Sequence, residues 1–143
     1  MFNPSKMMMN VANSSAIAGA AVWQFTKNGT LAQDFSFEDA ASGGWTYIRT
    51  NCGALYITVD ANNFAIKQDV KYKAADIKLQ LWKLTALGTT GADKNSFVIV
   101  NDLFQNKILQ PANLQSGAQL VLVDRPKTIT AANTWLVTCP LIS

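Results

Sequence analysis

Short apolar runs recur along the chain, each closed off by a cluster of turn-forming residues. Residues 45–50, 54–59, 96–101 and 119–123 are rich in β-branched and aromatic side chains, which suit a pleated, half-buried surface. Gly, Asn, Asp, Ser and Pro punctuate them at 27–29, 42–44, 60–63 and 124–126. The one stretch with helix-like apolar spacing, 7–22, is interrupted by Asn10, Asn13, Ser14, Ser15 and Gly19, so turns are expected there. The pattern predicts an all-β chain, and many short strands at regular spacing mean a sandwich or a barrel.

Comparing the chain with itself separates those two. Gln33-Asp34-Phe35, Gln80-Leu81-Trp82 and Asn133-Thr134-Trp135 are polar-x-aromatic triplets 47 and 53 residues apart. Before each lies a short apolar strand, at 7–11, 55–59 and 107–111. A third strand follows at 19–25 and 117–123, both opening on Gly-Ala, with a less well registered counterpart over 65–72. Four strands per copy, in copies spanning approximately 1–40, 41–90 and 91–143, make the twelve strands of a β-trefoil. One copy cannot close its own apolar face, whereas three around a pseudo-threefold axis share a core and lose most free edges. Phe35, Trp82 and Trp135 are then expected as equivalent core anchors. The first copy has only Met1-Phe2-Asn3 where its opening strand should lie; either the tail 136–142 pairs beside that stub and closes the barrel, or this end is frayed.

Composition fits one such domain: 143 residues, 49% apolar and 15% charged, predict a packed core rather than disorder. The net charge of +3 is scattered. Lys67, Lys71, Lys73 and Lys78 are interleaved with Asp69 and Asp76, so a solvated face is expected and no nucleic-acid partner. There is no His, which removes the usual general base and the commonest metal ligand, and no Gly-rich phosphate loop. No enzyme, metal or cofactor is expected. Glu38-Asp39 reads as a surface turn between copies rather than a catalytic carboxylate pair. Cys52 and Cys139 form no CxxC motif; a bridge between them stays open, with two free thiols favoured because small secreted domains usually carry more bridges. Residues 1–10 do not read as a signal peptide and 16–22 is too short to span a bilayer. A cytoplasmic or non-classically secreted protein is expected, without membrane insertion. The sequons at Asn13 and Asn28 then read as turn residues.

The triplets, together with Lys6-Met7-Met8-Met9-Asn10-Val11 and Gly19-Ala20-Ala21-Val22, resemble the ricin-B-type lectin family over nearly the whole chain. That family closes each of three subdomains with Gln-x-Trp; here Phe35 replaces one Trp and Asn133 one Gln. The resemblance implies shallow sugar sites, each with an Asp on the second strand, a stacking aromatic from the third, and an Asn near the triplet. A carboxylate or amide bonds hydroxyls, and a ring covers the apolar C–H face of a galactose-type sugar. Transferred by position, the first copy offers Asn10, Trp23, Phe25 and Asn28, the second Thr58, Asp60 and Tyr72, and the third Gln110, Asn113 and Asp124. None keeps the full set, and the first is the best. Gln33 and Gln80 are expected to be structural. The implied function is a non-catalytic lectin for terminal galactose or N-acetylgalactosamine, as a homodimer able to cross-link glycans. The alternative is a trefoil with decayed sugar sites that binds a protein, such as a protease inhibitor.

Overall fold

Three antiparallel hairpins set the architecture: β1 (Met8–Val11) with β2 (Val22–Phe25), β5 (Tyr56–Val59) with β6 (Ile66–Asp69), and β9 (Lys107–Pro111) with β10 (Leu120–Asp124). The computed structural model describes residues 1, 7–40, 43–87 and 96–137. Each hairpin turns apolar side chains inward: Met9, Val11 and Val22; Ile57, Val59 and Ile66; Leu109, Leu120 and Leu122. Around them β3 (Phe35–Asp39), β4 (Thr46–Thr50), β7 (Trp82–Ala86), β8 (Ser96–Asn101) and β11 (Trp135–Leu136) pair in succession. Among the described residues there is no α-helix, only 3-10 turns.

The hairpins join through equivalent hydrogen bonds around the pseudo-threefold axis. Gln24 N donates to Ala118 O, Gln68 N to Ala20 O and Leu122 N to Phe64 O, each at 2.9 Å. Gln24, Gln68 and Leu122 are therefore counterparts. The two buried amides also clamp the neighbouring copy's loop. Gln24 Nε2 donates to Gln115 O at 2.8 Å and Asn113 O at 3.1 Å; Gln68 Nε2 donates to Ser15 O at 2.8 Å and Ile17 O at 3.0 Å. In the third copy Leu122 has no amide to offer. The chain is an all-β, pseudo-threefold β-trefoil.

The triplets explain themselves physically. Each follows or ends a 3-10 turn (Leu31–Gln33, Ile77–Gln80, Ala131–Asn133), and its polar side chain satisfies loop backbone that no strand reaches. Gln33 donates to Thr26 O and accepts from Asn28 N, both at 2.9 Å. Gln80 donates to Val70 O at 2.7 Å and accepts from Tyr72 N at 2.8 Å. The shorter Asn133 accepts only from nearby Thr130, through its N–H at 3.0 Å and its hydroxyl. Two residues on, Trp82 and Trp135 are fully buried, their indole N–H groups donating to Ile57 O at 2.9 Å and Leu109 O at 3.0 Å.

Four expectations change. Phe35 packs against the core only partly buried, since it has no N–H to anchor as the tryptophans do. The third strands begin later than their Gly-Ala openings, at Val22 and Leu120, because Gly19 and Gly117 turn with φ of +94° and +88°. In the second copy that strand is Ile66–Asp69 alone. Glu38-Asp39 lies not in a loop but on β3, where Glu38 accepts from the Tyr56 hydroxyl at 3.2 Å and pairs with Arg49 at 3.6 Å. The expected opening stub at Phe2-Asn3, the end of the tail and Cys139 lie outside the described residues; Met1 is buried, and its carbonyl accepts from Met9 N at 2.9 Å.

Candidate functional site

Strand register decides which side chains share a surface. On the first hairpin Asn10 stands opposite Trp23 and Met8 opposite Phe25. Alternation turns Trp23 and Phe25 to one face of β2, where their rings stack with centroids 5.6 Å apart and planes 20° from parallel. A recess of about 170 Å³ opens there, lined by Asn10, Asn13, Ser14, Trp23, Phe25 and Asn28. The loop after β1 supplies Asn13 and Ser14, both exposed and both left-handed, with φ of 58° and 51°. Asn tolerates that region; Ser does so at a cost, and such strain is concentrated where loops meet ligands. Asn28 is carried by the turn that Gln33 holds from both ends.

Two polar atoms of this hairpin are buried without a partner among the described residues: Asn10 Oδ1 and Trp23 Nε1. The amide orientation of Asn10 is set by Nδ2, which donates to Val11 O at 2.8 Å, so the free atom is the acceptor. Leaving such a group desolvated costs about 1–3 kcal/mol. Both are closed to water in this conformation, so a ligand hydroxyl reaches them only if the recess wall shifts slightly. Asn13, Ser14 and Asn28 are the exposed members of that wall. None of the six lining side chains is an acid or a base in the ordinary pH range.

The other copies close their counterparts internally. Thr58 stands opposite Lys67 as Asn10 stands opposite Trp23. Its hydroxyl donates to Tyr56 O at 2.9 Å and accepts from Gln80 Nε2 at 3.0 Å. Asp60 accepts from Asn62 N at 2.8 Å and serves its own turn. In the third copy Gln110 Oε1 is taken by Asn133 Nδ2, and Val121 occupies the Trp23 position. Asn113 caps a turn by accepting from Gln115 N at 2.9 Å, and exposed Asp124 pairs with Lys107 at 2.7 Å.

Tyr72, which the resemblance offers as a stacking ring for the second copy, does not stand on the third strand: Gln80 holds its N–H as Gln33 holds that of Asn28, so it is the counterpart of Asn28. The residue in Phe25's place is Asp69, opposite Tyr56 as Phe25 is opposite Met8. The Tyr72 hydroxyl donates to the Asp69 carboxylate. Burial, that bond and the negative charges of Asp69, Asp60 and Asp76 hold the phenol well above its ordinary pKa. Lys71, in the basic run read as a solvated face, is exposed, with its ammonium 4.5 Å from the Tyr47 ring centre. Sequence reasoning missed Asn13 and Ser14; their signal was the Asn-Ser-Ser cluster directly after the Asn10 strand, read only as a turn.

No family model matches the chain, and no curated protein does. Solved structures do. A designed threefold-symmetric protein, ThreeFoil, superposes with a TM-score of 0.76 at 19% identity over 91% of this chain and 89% of its own. The Macrolepiota procera ricin B-like lectin, solved in complex with lactose, gives 0.73 at 13% identity over 97% and 92%. A mosquitocidal holotoxin gives 0.80 at 14% identity over 94% of this chain, which spans 16% of that protein. At these identities the likeness is one of fold: the β-trefoil.

Proposed function

We propose that the chain binds carbohydrate through the recess of its first copy, taking a terminal galactose or N-acetylgalactosamine. The observation that carries this reading is the Asn10–Trp23 pair: an acceptor and a donor, both unsatisfied, on a hairpin whose two aromatic rings line the same recess. A sugar hydroxyl both donates and accepts, so neighbouring hydroxyls suit Asn10 Oδ1 and Trp23 Nε1. The C–H face of the sugar then covers Phe25 or Trp23, and Asn28 closes the rim. The lactose held by the Macrolepiota procera lectin supports the galactoside.

A shallow neutral site binds weakly, with Kd on the order of 1 mM, about −4 kcal/mol. One site per chain cannot cross-link glycans, so agglutination requires a dimer. The test is calorimetric titration with lactose and N-acetylgalactosamine, beside a glycan array. Binding at one site per chain that weakens roughly tenfold with Asn10→Ala is expected. An empty array combined with tight protease inhibition would replace the sugar reading with a protein-binding one.

A further inference from the structure

Asn28-Gly29 is the only Asn-Gly pair in the sequence, and it stands on the rim of the recess. We infer that it is a site of spontaneous deamidation, through which the binding face alters as the protein ages. In this reaction the Gly29 backbone nitrogen gives up its proton and attacks Asn28 Cγ, forming a five-membered imide as ammonia leaves. Water then opens the ring at either carbonyl, leaving aspartate or isoaspartate.

Three features favour the attack. Both residues are exposed, and a Cβ built on Gly29 would meet nothing within 4 Å, so no other segment crowds the Gly29 Cα next to the attacking nitrogen. The Gly29 N–H has no hydrogen-bond partner among the described residues and is free to ionise. The third feature is specific to this turn. Asn28 Oδ1 accepts from Thr30 N at 3.1 Å and from Thr30 Oγ1 at 2.8 Å. These bonds fold the side chain back toward the chain that follows it. They also place two donors on the oxygen that becomes negative when Cγ is attacked, the arrangement that stabilises a tetrahedral intermediate. Thr30 thus activates its neighbour.

The products change the recess in two ways. Aspartate adds a negative charge to a lining that has none. Isoaspartate also inserts a backbone atom between the Asn28 N–H and Gly29, in the turn that Gln33 spans. The consequence for sugar rests on the proposed function; the modification does not.

The test holds the folded chain at mildly alkaline pH and follows every Asn-containing peptide by mass spectrometry, with isoaspartate read by enzymatic methylation. Asn28 is expected to convert first and mainly to isoaspartate, and Thr30→Val to slow it several-fold by removing the hydroxyl donor. Gly29→Ala should slow it further; circular dichroism of both variants checks that the fold is kept. Conversion led by another Asn, or a rate indifferent to Thr30→Val in the folded protein, overturns the inference. Lactose titration of fresh and aged protein separates the two readings. Fresh protein that ignores lactose removes the sugar reading alone, while the peptide masses judge the modification independently.

Discussion

Asn10 and Trp23 face one another across β1 and β2, and each keeps one buried polar atom without a partner among the described residues. In the other copies the Asn10 counterparts are satisfied: Thr58 by Gln80 and Tyr56, and Gln110 by Asn133. The asymmetry lies in what each triplet residue reaches. Gln33 spends its amide on the turn 26–28 and leaves Asn10 Oδ1 alone.

Asn10→Ala removes an orphan acceptor and, with it, the bond to Val11 O. The two effects oppose, so folding stability is expected to move by less than about 1 kcal/mol. Lactose affinity is expected to fall by about 1–1.5 kcal/mol, roughly tenfold. Urea unfolding and calorimetry on the same samples check both halves.

Trp23→Phe keeps a ring against Phe25 but deletes the unpaired N–H. Stability is expected to hold while lactose binding weakens; Trp23→Ala should weaken binding further by removing the stacked surface. If Trp23→Phe binds lactose as tightly as the parent in an NMR titration, Nε1 is not a ligand.

Thr58→Ala tests the second copy. It leaves Gln80 Nε2 short of one acceptor in a fully buried setting, so a loss of about 1–3 kcal/mol of stability is expected. Lactose affinity and the stoichiometry of one should not change.

The pH behaviour of binding and of folding should differ. No lining side chain ionises near neutrality, so lactose affinity is expected to stay flat between about pH 5 and pH 9. Asn10→Asp would make it fall on acidification, beginning above the ordinary carboxylate range because burial raises a carboxyl's pKa. Tyr72 acts on the alkaline side. Its folded pKa is raised, first by burial and then by Asp69, so the folded state holds the proton more tightly than the unfolded chain. That stabilisation is fully present below the unfolded tyrosine pKa, about 10, and declines as pH rises above it. Tyr72→Phe should flatten this part of the curve in denaturant melts taken across alkaline pH.

The residue pattern by itself determined the strands and their repetition. Apolar alternation located β1, β5 and β9 to within a residue or so, and the spacing of Gln33, Gln80 and Asn133 implied three copies around one core. The family resemblance, transferred by position, drew Asn10, Trp23, Phe25 and Asn28 from one copy, since hairpin partners are neighbours in sequence. Tertiary structure decided the rest. That Tyr72 stands in the Asn28 place, that Thr58 and Gln110 are consumed, and that Asn13 and Ser14 join the recess all depend on which amide reaches which backbone atom. Strand periodicity comes from local backbone geometry and can be read along the chain. Whether a buried polar atom is satisfied is decided by distances between segments that only the closed trefoil brings together.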